Sequence, residues 1–408
     1  MNEKIQYWFY LQPYTFIFTG KHGLVVYNSI SGYYLNIEDK TSKQLLEKIQ
    51  KPENGYCIPI TESEADNEMI SALIREVRNS FSGDIIPFKG EDKNKKPFIV
   101  PPILRLYNNV DTIKKEGGQA LGEVILRNIN EVTFFLPGNC NKNCRNCHTY
   151  NKQFIHCSNF REQALNYDNY RRLFDNLDAC GVNKVNFVIN DFEDPIFKLI
   201  WSNRDINSFK KKYMFNVLNL TEEVISLFSP DDELVIYIDN IFPIEELSTF
   251  QSQMLHLNVH WTHIVEDESD MENIDFTENT SVVPFYNGKN IPFFEDNIYL
   301  TMDDLLESPV EKQTIFRRQA LNENFFGKIS VLPSGEAFSN LNKEPLGNLK
   351  EVPLGQVVYN EFDESKAWLL TRDTAEESCS ECPNKYLCPS ISNYELAIGK
   401  TDLCHMTP

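Results

Sequence analysis

No stretch of this sequence stays apolar long enough to cross a bilayer; the longest runs, such as Leu234–Ile238, are strand-sized. Met1–Tyr14 lacks the basic start, unbroken apolar segment and small-residue cleavage site of a secretory signal. Basic charge is scarce, with 39 Lys and Arg against 59 Asp and Glu, a formal charge of −20. Such a surface repels phosphate backbones and anionic lipid, so neither nucleic acid nor a membrane is an expected partner, while a basic or neutral peptide is compatible with it. There is no GxGxxG or Walker loop, no HExxH pair, and no motif that supports Ser/His/Asp nucleophile chemistry. Internal repeats and low-complexity tracts are also absent.

What is present is aromatic and rich in cysteine. Phe and Tyr number 28 and 18, and 41% of the 408 residues are apolar, enough for two or three packed domains. Ten cysteines in a chain without a secretory signal point to a reducing cytoplasm, where clustered Cys means metal rather than disulfide. Residues 1–100 read as a separate unit: Phe16–Phe18, Gly23–Tyr27 and Tyr33–Ile37 predict short strands, and helices are predicted at Ser42–Ile49 and Asn67–Phe81. The Lys- and Pro-rich segment Lys89–Pro102 reads as a linker. Residues 101–325 alternate strand and helix, predicting a parallel α/β sheet or barrel: Glu131–Leu136, Tyr167–Ala179, Lys184–Ile189, Lys212–Leu218, a helix opened by Thr221, Leu234–Ile238 and Leu257–Ile264. Residues 326–408 form a third unit of short strands, turns and a Cys-rich tail.

Directly after the first strand of that series comes Pro137-Gly138-Asn139-Cys140, then Cys144, Cys147 and His148. Three thiolates at C-x3-C-x2-C spacing can wrap a cubane cluster and leave its fourth iron free. Two other readings are a helical stripe of buried Cys, since the spacing is also i, i+4, i+7, and a zinc site completed by His148. The Pro, Gly and four Asn around the thiols favour a loop. In the tail, Cys379, Cys382, Cys388 and Cys404 make a complete ligand set for a closed cluster or a closed zinc site. Cys57, Cys157 and Cys180 have no partners at ligand spacing and read as buried thiols. His260 and His263 fall on opposite faces of one predicted strand.

The C-x3-C-x2-C loop after the first strand of an α/β series resembles the radical SAM superfamily. The resemblance implies a partial (β/α)6 barrel and a [4Fe-4S] cluster whose open iron chelates S-adenosylmethionine. The order Gly327–Phe338, Leu346-Gly347-Asn348-Leu349, Trp368–Arg372 and then four Cys resembles a SPASM domain, implying an auxiliary [4Fe-4S] cluster and two clusters in all. The first hundred residues, with Gly32-Tyr33-Tyr34-Leu35-Asn36 in the third predicted strand, are similar to the winged-helix-like β3α3 PqqD module of peptide maturation. That implies a precursor leader added beside this strand, with Tyr33, Tyr34, Leu35, Arg75 and Arg78 as the contact residues.

The pattern breaks where the family seats the cofactor. A Gly-Gly-Glu-Pro turn normally follows the second strand; here the sequence is Asn190-Asp191-Phe192-Glu193-Asp194-Pro195. Asn190, Asp191 and Glu193 are the residues left to meet the cofactor's ammonium group, against the plain reading of a solvated acidic turn. His148 replaces an aromatic, and Val217-Leu218-Asn219 replaces Thr-Asn-Gly. The chain therefore most resembles the pseudo-radical-SAM proteins of GG-Bacteroidales-type systems. The function implied is that of a leader-binding accessory partner to a radical SAM maturase subunit. An active radical SAM/SPASM peptide maturase and a zinc-stapled scaffold without redox chemistry are the alternatives.

Overall fold

A computed structural model describes residues 6–21, 23–89, 95–103, 125–142, 144, 146–158, 160, 163, 165–239, 242–272, 274–364 and 366–406. The linker reading at Lys89–Pro102 lies partly outside them, at 90–94; residues 95–103 carry no regular structure. Among the described residues no helix is long and apolar enough to cross a membrane.

The described residues of the first hundred hold six strands where the sequence predicts three. The three predicted ones are β2 (Thr15–Thr19), β3 (Leu24–Asn28) and β4 (Tyr34–Ile37), an antiparallel sheet in the order β2-β3-β4. The others are β1 (Gln6–Leu11), β5 (Cys57–Thr61) and β6 (Gly83–Phe88), paired antiparallel as β5-β1-β6. Pro59 and Pro87 disguise β5 and β6 in the sequence. Both strands are edges, where a missing N–H costs no ladder bond, and both prolines are exposed. The helices run Lys40–Gln50, capped by Asp39, and Glu68–Asn79, capped by Asn67. Their inward residues Leu45, Leu46, Ile49, Ile70, Leu73, Ile74 and Val77 share one core with Phe9, Leu24, Val26 and Ile58.

The predicted strand–helix alternation is present as six parallel strands in sequence order: β7 (Glu131–Phe135), β8 (Lys184–Val188), β9 (Lys210–Asn216), β10 (Glu233–Ile238), β11 (Asn258–Val265) and β12 (Thr280–Pro284). On the far side of β7 the sheet continues through β13 (Lys328–Val331), parallel, and then β14 (Glu336–Phe338) and β15 (Gly347–Asn348), both antiparallel. The result is a nine-stranded, mostly parallel sheet in an α/β protein.

Alternate residues divide that sheet into two faces. Val132, Phe134, Val185, Phe187, Phe215, Ile236 and Trp261 pack with the crossover helices Tyr167–Ala179, Pro195–Ser202, Glu222–Leu227 and Ile244–Gln253. Phe135, Val188, Met214, Val235, Tyr237 and Ile264 face the other way, and there they meet Tyr150, Phe154, Ile155, Cys157 and Phe160. Residues 150–158 and 160 thus form a plug over the face that the crossover helices leave bare. Phe154 stacks on Tyr237 at 5.9 Å, and Tyr150 meets Phe285 edge-on at 4.6 Å.

The amino-terminal sheet stands on the Cys-rich tail. The Lys21 amide donates to the Glu381 carbonyl at 2.9 Å, Lys21 pairs with Glu381 at 3.1 Å, and Phe18 meets Tyr386 edge-on. Leu387 and Cys388 complete a core with Phe16, Phe18, Val25 and Tyr27. A Cβ at Gly20 would lie 2.4 Å from the Glu381 carbonyl oxygen and 2.6 Å from Pro383, so this contact needs glycine. Gly20→Ala is expected to destabilise the chain by about 1–3 kcal/mol in equilibrium denaturation, the usual cost of forcing an extra carbon into packed backbone.

Candidate metal centres

The first three cysteines are not a helical stripe. Cys140 and Cys144 lie in the loop that leaves β7, and the helix Cys147–Gln153 begins only at the third. The loop is fastened to the turn after β8. A Cβ at Gly138 would sit 2.4 Å from both Asn190 Oδ1 and Asp191 Cβ, and the Asn139 amide donates to Asp191 Oδ2 at 3.0 Å. Ser158 Oγ donates to the Cys147 carbonyl at 2.8 Å, tying the plug to the start of the helix.

Burial raises the Cys144 thiol to about 12, and Asp239, Cys147 and Cys140 push it the same way. Without a cation such thiols stay protonated; a metal reverses this and takes them as thiolates. Polar side chains close the carboxyl ends of β9, β10 and β11, where open α/β sheets bind ligands. Asn216 ends β9 and donates to Asp239 Oδ2 at 3.2 Å; its amide also lies 3.3 Å from His156 Nε2. Burial lowers His156 to about 4 and keeps it neutral, and it raises Asp239. Asn146 and Asn287 both donate to Glu266, which follows β11. Asn190 Oδ1 and Asp239 Oδ1 are buried with no hydrogen-bond partner among the described residues, as donor-seeking atoms at a ligand site would be. Sequence reasoning missed Asn216, Asp239 and Glu266. The available signal was that each ends or directly follows a strand run.

The turn after β8 has structural work for the residues named as cofactor contacts. Asp191 holds Asn139 through Oδ2 and its own turn through Oδ1, which accepts from the Glu193 amide at 2.9 Å. Phe192 is buried against Phe197, Phe215 and Phe228. Glu193 is exposed and pairs with Lys198 at 2.5 Å. Asp194 caps the helix Pro195–Ser202, accepting from the Ile196 amide at 2.8 Å. Asn190 donates to the Ser158 carbonyl at 2.8 Å, leaving its Oδ1 over.

Cys379, Cys382, Cys388 and Cys404 line one cavity of about 490 Å³, together with Arg372. Cys404 is delivered by a bridge to Leu300. The Arg372 guanidinium lies 3.6 Å from Cys379 Sγ and forms a buried ion pair with Glu395 at 2.5 Å. The Asn384 amide donates to Cys382 Sγ at 3.4 Å. Burial raises Cys388 to about 12 and also raises Cys379 and Cys382, with Arg372 pulling each of them back. N–H···S contacts and a buried cation are what a set of cluster thiolates needs around it, so the donor set fits an iron–sulfur group. Among the described residues no three His, Cys, Asp or Glu side chains are drawn close enough to hold a metal ion as they stand.

The candidate peptide residues fall in separate places. Among the described residues β4 pairs only with β3. Tyr33 Oη donates to Glu76 on the second helix at 2.6 Å, and Leu35 packs on the module core. Tyr34 points the other way and donates to Asn384 Oδ1 at 3.0 Å, beside the cysteines. Arg75 and Arg78 line a groove of about 680 Å³ with Tyr14, Ile74 and Phe81; Arg78 also pairs with Asp84 at 2.8 Å. Phe81, 77% exposed, was not anticipated as part of this surface.

No family model and no curated protein matches the chain. Among solved structures, the crystal structure of Streptococcus suis SuiB is similar at 9% identity, over 97% of this chain and 100% of that chain, with a TM-score of 0.40. SuiB bound to S-adenosylmethionine aligns over 86% of this chain and 88% of that chain, at 9% identity and a TM-score of 0.31.

The turn after β8 separates a structural residue from a surface one. Asp194→Ala is expected to cost about 1 kcal/mol as a lost helix cap. Glu193→Ala should cost less than about 0.5 kcal/mol, because its ion pair is exposed. Denaturant titration of the two variants checks both values.

Proposed function

We propose that this protein is an iron–sulfur, radical-SAM-like component of ribosomal peptide maturation. It binds a precursor leader and assists a radical SAM maturase subunit, with a degenerate S-adenosylmethionine site of its own. The observation that carries this reading is the turn after β8. Asp191, Glu193 and Asp194 are engaged with the chain's own groups, and Phe192 fills the core where the family has small residues. The plug formed by residues 150–158 and 160 supports it further, because side chains already cover the sheet face next to the cysteine loop.

In this reading residues 101–325 form a partial (β/α)6 barrel and residues 326–408 a SPASM-like domain. Cys140, Cys144 and Cys147 hold one [4Fe-4S] cluster, and Cys379, Cys382, Cys388 and Cys404 hold a second. Bound clusters would supply one-electron chemistry. The chain's own residues set their surroundings: Asp239 and Glu266 near the first, Arg372 and the Asn384 amide against the second. Residues 1–100 act as a PqqD-like module, with the free edge of β4 offered for strand addition and Arg75 and Arg78 for acidic leader residues.

Anaerobic reconstitution followed by iron and sulfide analysis tests the clusters. About eight irons per chain are expected, and Ala at Cys379, Cys382 and Cys388 should remove about half of them. An assay for 5′-deoxyadenosine under reducing conditions should give no turnover; robust turnover would establish the active maturase instead. Arg75→Glu is expected to weaken an acidic leader peptide two- to fivefold, about the worth of one exposed charge pair. Fluorescence anisotropy at two salt concentrations measures this, with the difference shrinking at high salt.

A further inference from the structure

We propose that Arg372 is the positioning residue of the carboxy-terminal cysteine site: it ties three of the four cysteine segments together and carries the charge that favours reduction of a cluster there. This rests on the reading of Cys379, Cys382, Cys388 and Cys404 as cluster ligands. A guanidinium presents five N–H donors in one rigid plane, so it can hold several chain segments at once. Arg372 does so. Its Nε and Nη2 donate to the Pro389 carbonyl at 3.1 and 2.9 Å, and Pro389 directly follows Cys388. Its Nη1 donates to the carbonyl of Thr401, just ahead of Cys404, at 2.5 Å and lies 3.6 Å from Cys379 Sγ. The Cys379 thiol donates to the same Thr401 carbonyl at 3.1 Å. The fourth ligand, Cys382, receives the Asn384 amide at 3.4 Å.

The charge is fixed as well as the donors. Arg372 and Glu395 pair at 2.5 Å with side chains only 11% and 5% exposed, so water screens them little. Glu395 is held in turn by the Ser392 amide at 2.7 Å. Lys385 and Lys400 line the same cavity, but Lys385 is drawn off to Asp373 and the Ser380 carbonyl, and Lys400 is half exposed beside Asp402. A staple between tail segments needs donors aimed at carbonyls and at a carboxylate. It has no need of a donor at a sulfur, and the contact of Nη1 with Cys379 Sγ is the feature that a purely structural arginine would lack.

Four thiolates leave a [4Fe-4S] cluster anionic, and one-electron reduction of its 2+ core to the 1+ core adds another negative charge to a buried site. A fixed cation at a ligand sulfur stabilises the reduced state more than the oxidised one, so the midpoint potential rises. An N–H donor to the sulfur acts in the same direction by drawing charge off the thiolate. Glu395 offsets part of the charge, but among the described residues its carboxylate meets the guanidinium and the Ser392 amide rather than a sulfur.

The test uses the full chain with Ala at Cys140, Cys144 and Cys147, so that iron enters only the carboxy-terminal site. This parent is reconstituted anaerobically and titrated with dithionite under EPR. Arg372→Gln removes the charge, whereas Arg372→Lys keeps the charge and loses the fork. The Gln variant is expected to show a lower midpoint than the parent, with the Lys variant nearer the parent than Gln is. A Gln variant that holds its cluster at an unchanged or higher midpoint overturns the proposal. A second arm keeps Arg372 in place: with ¹⁵N-labelled arginine, pulsed EPR of the reduced parent should resolve a ¹⁵N coupling that is lost in Arg372→Lys. No coupling in the parent overturns the proposal even if the Gln variant does not fold, and so does a coupling that survives in the Lys variant. A folded parent that takes up no iron defeats the cluster reading itself, and the proposal falls with it.

Discussion

A parallel sheet must be buried on both faces, and here the crossover helices cover only one. The rest of the structure follows from how the chain covers the other. It does so with its own residues 150–158 and 160, delivered directly after the cysteine loop, so Tyr150, Phe154, Cys157 and Phe160 occupy the face on which β8, β9 and β10 present Val188, Met214, Val235 and Tyr237. That plug is what brings His156 against Asn216 and Ser158 against Cys147. It ties the hydrophobic packing of the sheet to the position of the thiols, so the stability of one is the geometry of the other.

The two cysteine groups sit in opposite electrostatic settings. The loop after β7 has Asp239 and Glu266 at the ends of β10 and β11, and burial holds the Cys144 thiol neutral until a cation arrives. The tail has Arg372, buried and paired with Glu395, within reach of Cys379. A cation beside a cluster stabilises its more reduced, more negative state, and carboxylates do the reverse. The tail is also braced from outside: Tyr34 reaches Asn384, whose amide in turn meets Cys382. Through these contacts the amino-terminal module, with the β4 edge at its rim, is in mechanical contact with the second group of cysteines.

Much of this was legible in the residues. The helix Tyr167–Ala179 falls where its spacing of Tyr170, Leu173, Phe174 and Leu177 puts it, and Thr221 caps the helix it was expected to open. The parallel series was readable because each strand is a continuous apolar run bounded by polar turns. Strands β1, β5 and β6 were not, since two of them carry prolines that only an edge position tolerates, and an edge is a property of the whole sheet. The site was half legible. Cysteine spacing reports neighbours along the chain, so the tail's three near-contiguous thiols were plain, whereas Asn216, Asp239 and Glu266 come to the strand ends near the cysteine loop only through the fold. Tyr34 was read as part of a peptide-contact set with Tyr33. Strand alternation sends the two to opposite sides, one to Glu76 and the other to Asn384.

The central claim is that the chain holds a cluster without offering it to a cofactor. The most direct measurement is electron–nuclear double resonance on the reduced, reconstituted protein mixed with S-adenosylmethionine carrying ¹⁵N in its amino group. The account predicts no ¹⁵N coupling to the iron–sulfur signal. A resolved coupling would mean that the amino group binds iron, and would contradict it.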